Sequence, residues 1–304
     1  MRAAIISDGR IEIDERPDPM PGDGELLVRV RAAGINGADL LQRAGGYPPP
    51  PGAPPDIPGL ECAGEVVALG RGVRDFAEGD RVVALLGGGG QAELATVHER
   101  HALRAPARFS DAEAGGFMEA YATAHDALFS QAALAAGERL LVRGAAGGVG
   151  VAGVQLGIAA GACVTGLARH SADRLEELGA DTQLDGAYDV VLELVGGDHI
   201  ADDLGLLGVG GRVVVIGMSA GSRVTLELGL LMRARGRISS STLRSRRLEE
   251  KALVVQRVGR HVLPLAGRGV VGVPVERTFP LDEAQAAYDA FAAGGKFGKL
   301  VLVM

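Results

Sequence analysis

Tryptophan is absent from the chain, cysteine occurs only twice, and aromatic residues make up just 4% of the 304 positions. Cys62 and Cys163 lie a hundred positions apart, which excludes a cysteine-rich metal lobe and a disulfide framework. No stretch approaches the roughly 20 apolar residues needed to span a bilayer. The apolar start Ala3-Ala4-Ile5-Ile6 is soon broken by Ser7, Asp8 and Gly9. Positive charge is also short, with 31 Lys and Arg against 38 Asp and Glu, a net −7. Phosphate neutralisation needs a basic face, so the balance speaks against nucleic acid as partner. The expectation is a cytoplasmic protein with a small-molecule substrate and no membrane partner.

Glycine, by contrast, is abundant at 47 residues. Small residues in such number suit tight strand–helix packing and many turns. The first ~110 residues read as strands and turns. Leu26–Ala32 alternates apolar and basic residues with period two, as a half-buried strand does. Gly64–Leu69, Val82–Leu85 and Gln91–Val97 read as further strands. Tyr47 to Pro55 holds six prolines in nine residues and reads as an extended loop without ladder hydrogen bonds. From about Asp111 strands alternate with helices, with a helix at Thr123–Ala135 and strands at Arg139–Arg143, Cys163–Ala168, Tyr188–Leu194, Arg212–Ile216 and Ile238–Thr242. That alternation implies a parallel, doubly wound sheet. After a helix at Leu248–Val262 the text turns β-like again at Arg268–Val273, followed by a helix at Leu281–Ala293 and a strand at Leu300–Val303. The fold class is α/β, with a β-rich domain from both chain ends (1–112 and 265–304) and a nucleotide-binding domain between them (113–264).

Arg143-Gly144-Ala145-Ala146-Gly147-Gly148-Val149-Gly150 follows a buried strand and opens an apolar helix, the setting a dinucleotide fingerprint needs. Ala145 stands where a first glycine is usual. Small residues let the backbone approach a diphosphate, and free N–H groups at the helix start attract its charge. Ala145, Ala146, Gly147, Gly148, Val149 and Gly150 are therefore cofactor-binding candidates. An NAD-selective site offers an acid about 20 residues further on. Here the second strand passes through Gly166 and ends Ala168-Arg169-His170-Ser171, without one. Arg169 and Ser171 suit a 2′-phosphate, which favours NADPH over NADH. Gly217 and Met218, at the end of a later strand, are candidate nicotinamide contacts.

The segments Ala32–Asp39, Pro58–Gly70, Gly79–Val82 and Gly295–Leu300, with the glycine fingerprint, resemble the medium-chain dehydrogenase/reductase superfamily essentially end to end. The resemblance implies a GroES-like barrel domain plus a Rossmann domain. Its zinc enzymes carry Cys and His where this chain has Asn36 and Leu60, with a third ligand near Glu119. Gly87–Gln91 replaces their cysteine lobe. Zinc is thus not expected, since leucine cannot ligate metal. Asn36 with Gly46-Tyr47-Pro48-Pro49-Pro50-Pro51-Gly52 resembles the quinone oxidoreductase branch of zeta-crystallin. Its proline-rich form is similar to the p53-inducible subgroup. By that resemblance Asn36 and Tyr47 are catalytic and line the nicotinamide end of the cleft. Thr123, Phe297 and Lys299 join the cofactor contacts, and a homodimer forms through an edge strand such as Ile238–Thr242. The bland alternatives are that Asn36 caps a helix, Tyr47 packs on prolines and Thr123 is an N-cap. The expected activity is NADPH-driven reduction of a quinone or related activated carbonyl. The rivals are an enoyl-thioester or 2-alkenal reductase and a largely non-catalytic NADPH-binding protein.

Overall fold

The computed structural model describes residues 1–304, and they divide into two compact units. The first comprises Met1–Ala122 and Leu243–Met304, the second Thr123–Thr242.

The first unit opens with the hairpin β1 (Arg2–Ser7) and β2 (Arg10–Glu15). β3 (Glu25–Gly34) follows, burying Leu26, Val28 and Val30 while Arg29 and Arg31 face outward. The period-two pattern is thus the two faces of one strand. Helix α1 (Gly37–Arg43) starts directly behind it. Next come β4 (Glu61–Leu69), β5 (Arg81–Leu85), β6 (Leu94–His98) and β7 (Ala102–Arg104), then helices α2 (Asp111–Gly115) and α3 (Met118–His125). α3 begins five residues before the expected helix start and passes into a π-helical stretch at Asp126–Gln131. Phe117 and Tyr121, stacked at 4.7 Å, anchor that earlier turn in the core.

In the second unit, β8 (Arg139–Arg143), α4 (Gly148–Ala159), β9 (Cys163–Leu167), α5 (Ala172–Glu177), β10 (Tyr188–Glu193), α6 (His199–Leu206), β11 (Leu207–Val215), α7 (Leu228–Ala234) and β12 (Arg237–Ser240) alternate. The five strands are all parallel, in the order β12-β11-β10-β8-β9. A single parallel bridge, Thr165 to Asp181, adds a rudimentary sixth strand outside β9. Numbered along the unit, the order is then 3-2-1-4-5-6, that of a dinucleotide-binding sheet, and it reverses between β8 and β10.

The chain returns to the first unit at Leu243, 22 residues earlier than the sequence pattern indicates. Helix α8 (Leu248–His261) is responsible. Its buried residues Ala252, Val254, Val255 and Val258 serve the first unit, where α8 packs on β7 and the turn Glu99–His101. The expected strand at Arg268–Val273 is instead the end of helix α9 (Leu263–Arg268) and a loop. Pro264 sits in its first turn and Gly269, at φ 78°, terminates it. The apolar text that suggested a strand belongs to this loop, in which Val271 and Val273 are buried without sheet pairing. β13 (Val275–Pro280), α10 (Ala284–Ala293) and β14 (Lys299–Val303) complete the unit. β14 pairs antiparallel with β3, so one sheet, β13-β14-β3-β4-β5-β7, is closed by both chain ends.

Candidate active site

The expected site residues fall into two groups, one in each unit. In the second unit the Ala145–Gly150 turn lies at the carboxyl end of β8 and forms the start of α4. Gly144 has φ +76°, a conformation that favours glycine. A Cβ on Gly150 would stand 2.3 Å from the Gly144 oxygen and 2.6 Å from Ala145 Cα, so only glycine lets the turn fold onto the helix. Ala145 is wholly buried and fills the turn from inside, while Ala146 through Val149 are partly exposed. The first N–H groups of a helix have no partner within it. Those of α4 point from the edge where the strand order reverses, the place such sheets bind ligands. A diphosphate therefore fits this turn on geometry as well as on sequence.

Gly166 is buried on β9, where a Cβ would come 3.1 Å from that of Ala145. Beyond it Arg169 is exposed, and Ser171 adopts a left-handed conformation (φ 70°, ψ 35°) at the start of α5. A non-glycine residue is uncommon in that conformation. Gly217 follows β11 closely enough that a Cβ would stand 2.1 Å from the Leu194 oxygen. Met218 is 56% exposed. Thr123 stands in the last turn of α3, not at its start, so the N-cap reading of this residue does not hold.

The residues that hold these loops were not foreseen. Glu193 ends β10 and accepts hydrogen bonds from the N–H groups of Val195 and Gly196 (2.8 Å for the latter). It is completely buried beside Asp203 of α6, and the Arg143 guanidinium lies between them, bonded to Asp203 and 3.7 Å from Glu193. Glu193 Oε2 and Asp203 Oδ2 have no hydrogen-bond partner. Burial raises Asp203 to about 7, Arg143 opposes this, and the neighbouring Glu193 adds to the rise. An acid closing an apolar strand just before Gly196-Gly197 was the available signal.

In the first unit Asn36 is the N-cap of α1, where a capping box joins it to Asp39, and its amide also reaches beyond the helix. Its Nδ2 donates to Glu61 Oε1 (2.9 Å) and its Oδ1 accepts from Lys299 (2.7 Å). Lys299 also donates to Glu61 Oε1 (2.6 Å) and to the Ile35 oxygen (3.2 Å). All three ammonium donors are thereby used inside the protein. Lys299, which the resemblance assigns to the cofactor, here holds a buried ion pair, 3% exposed against a fully buried Glu61. Asp39 accepts the N–H groups of Asn36 (2.8 Å) and Gly59 (3.1 Å), and burial lifts it to about 6 against those donors. Glu119 gives its backbone N–H to Glu61 Oε2 (2.9 Å), and burial pushes its own carboxyl to about 7. Phe297 is buried.

Tyr47 is half-buried in the proline-rich loop, and burial raises its phenol above the ordinary tyrosine range. Its ring lies under the Arg244 guanidinium, 5.0 Å away, and its carbonyl accepts from Arg244 Nη1 (2.6 Å). Sequence reasoning assigned nothing to Arg244, which stands in no periodic pattern. For zinc, the donor set does not fit. Leu60 is a buried hydrocarbon, the Asn36 amide is engaged at both ends, and no three His, Cys, Asp or Glu side chains converge to hold a metal.

A doubly wound sheet with a glycine turn at its switch point defines a dinucleotide-binding class of protein. The comparisons with known proteins narrow it. The alcohol dehydrogenase GroES-like domain family matches residues 22–107, and the zinc-binding dehydrogenase family matches 167–302. A quinone oxidoreductase of Sus scrofa is 31% identical, over 94% of this chain and 91% of its own. The synaptic vesicle membrane protein VAT-1 homolog of Rattus norvegicus is 31% identical over 97% and 81%. The polyketide synthase GfsB of Streptomyces halstedii is 39% identical over 64% of this chain, which spans only 4% of that much longer protein. A solved alcohol dehydrogenase superfamily protein from Novosphingobium aromaticivorans superposes with a TM-score of 0.88 at 27% identity, covering 100% of this chain and 99% of its own. The chain belongs to the medium-chain dehydrogenase/reductase superfamily, and its fold is that family's GroES-like unit plus Rossmann unit. It is an oxidoreductase of that family.

Proposed function

We propose that this chain is an NADPH-dependent, zinc-free reductase that delivers hydride to a quinone or a related activated carbonyl. The observation that carries the reading is the glycine turn at the switch point, followed at the end of β9 by Arg169 and Ser171 instead of an acid. The α4 N–H groups, presented over Ala146–Val149, bind the diphosphate. The Arg169 guanidinium and Ser171 hydroxyl hold a 2′-phosphate, which an arginine fork recognises well. When bound, the nicotinamide supplies the hydride, so the protein needs no nucleophile of its own. Tyr47 keeps its proton at neutral pH, because burial raises its phenol, and it donates a hydrogen bond to the acceptor oxygen. Asn36 and Lys299 act behind it, holding the Glu61 carboxylate and the start of α1 in place. The solved neighbour described as complexed with NADPH has the same fold at 23% identity. The quinone oxidoreductase relatives support the acceptor class.

No helix is long and apolar enough to cross a membrane. β12 ends the parallel sheet, and a homodimer joined through that edge is part of the same proposal.

The test is a steady-state panel of NADPH and NADH against 9,10-phenanthrenequinone, 1,4-benzoquinone, crotonyl-CoA and 2-hexenal. NADPH with the quinones should give the highest kcat/KM, and Tyr47→Phe should lower it only mildly. Rates with the thioester far above those with quinones, crippled by the same substitution, would establish an enoyl reductase instead. Micromolar NADPH binding with no turnover would establish a non-catalytic binder.

A further inference from the structure

Between the end of α1 and the start of β4 the chain runs through the proline-rich loop, and Tyr47 sits at its entrance. Prolines cannot donate hydrogen bonds, so the loop has few backbone ties of its own. What grips it is one side chain from the other end of the unit. Arg244, 4% exposed, donates from Nη1 to the Tyr47 carbonyl (2.6 Å), from Nη2 to Gln42 Oε1 (2.6 Å) and from Nε to the Gly87 carbonyl (2.8 Å). The Gln42 amide reaches on to the Pro55 carbonyl (3.5 Å), at the far end of the loop. Arg244 and Gln42 therefore bracket the loop from both sides. The guanidinium also faces the Tyr47 ring at 5.0 Å, within cation–π range.

The groups that accept hydrogen bonds from this buried cation are all neutral, while the Asp39 and Glu119 carboxyls act on it through their charge. A second cation, Lys251, 5% exposed, donates to the Arg244 carbonyl (3.2 Å) and so ties α8 to the same segment. Burying a guanidinium without a carboxylate bonded to it is costly, and here burial outweighs the favourable carboxyls. A neutral amide could staple a loop at lower cost. A planar fork that meets two carbonyls and an amide oxygen at once while covering an aromatic ring fixes one geometry, and a point charge such as lysine would not reproduce it.

We propose that Arg244 is a positioning residue, which through its grip on the Tyr47 carbonyl and ring sets the place of the Tyr47 hydroxyl. This rests on the role given to Tyr47 above.

The experiment pairs Arg244→Gln and Arg244→Lys with Tyr47→Phe, alone and combined. Arg244→Gln should lower kcat/KM for the quinone by no more than Tyr47→Phe does, leaving the Kd for NADPH unchanged, and Arg244→Lys should recover only part of the loss. In the Tyr47→Phe background Arg244→Gln should cause no further loss, since residues acting through one another are not additive. An undiminished loss in that background, or no loss in the parent, overturns the proposal. A second readout needs no turnover. Of the four tyrosines only Tyr47 is more than 2% exposed, and its step in an absorbance titration is identified as the one that Tyr47→Phe removes. Both Arg244 variants keep the fold if circular dichroism is unchanged, and Arg244→Gln should then move the step to higher pH, because a neighbouring positive charge is gone. Arg244→Lys, should the glutamine variant not fold, is expected to move it less but in the same direction. An unmoved step sinks the inference even if quinone reduction holds. A moved step with no reduction of any acceptor sinks the proposed function and leaves the grip on Tyr47 standing.

Discussion

Lys299 and Glu61 form an ion pair sealed from water, and each is also bonded by Asn36. A buried pair is not by itself a large source of stability, but breaking one leaves an uncompensated charge. Lys299→Met should therefore destabilise the first unit by about 3–5 kcal/mol, read from denaturant midpoints. The double change Lys299→Met with Glu61→Gln should cost clearly less than the single. Equal losses in the single and double variants would mean that packing, not charge, is at stake. At this scale the sequence was a partial guide. Asn36 stood out by its place in the motif, yet nothing in the text around it says that both ends of its amide are turned toward Glu61 and Lys299. Such pairing links positions more than 200 residues apart. Arg244 was missed for the same reason, because a side chain's partners across the fold leave no local period.

The elements were more legible. The dinucleotide turn was read from eight consecutive residues because its requirements are local: a strand, a tight turn that needs glycine, and a helix start. Gly150→Val places a side chain into the Gly144 carbonyl and the Ala145 backbone. NADPH binding, measured by fluorescence titration, should weaken at least about 100-fold, the scale expected when a phosphate cradle is displaced. Wild-type affinity in that variant would remove the turn from the site. Less local elements were misjudged. The segment Leu263–Val273 holds apolar residues that suit either a helix or a strand. Packing decided for helix α9 and an unpaired loop. Helix α8 has a clear amphipathic pattern, but the pattern does not say which unit its apolar face serves.

Across the whole molecule, three buried acids share one tendency. Burial raises Asp39 to about 6, Glu119 to about 7 and Asp203 to about 7. In an unfolded chain such groups titrate near about 4. The folded state thus holds more protons than the unfolded one between about pH 4 and 7, and stability falls as pH rises through that window. The acids held below their ordinary range, such as Asp14, Glu93 and Glu249, are nearly all exposed and weigh little against this. His101, which burial pushes down to about 4, works the other way below its ordinary value, so the thermal midpoint should decline where only the acids titrate, from about pH 6.5 to pH 8. Asp203→Asn, which cannot ionise, should flatten part of the decline. A midpoint that is constant or rises over the same range would show that these carboxyls stay charged in the fold.

By itself the amino-acid order determined the kind of fold, the place of the nucleotide turn and the family, because these rest on short-range patterns: glycine at tight turns, period-two strands, and small residues where a helix meets a sheet. Only the tertiary structure decided which unit owns α8, that Lys299 and Asn36 look inward, and that Arg244 grips the Tyr47 loop. Those outcomes depend on contacts between distant segments, where burial and charge pairing select among arrangements that the local chain permits equally.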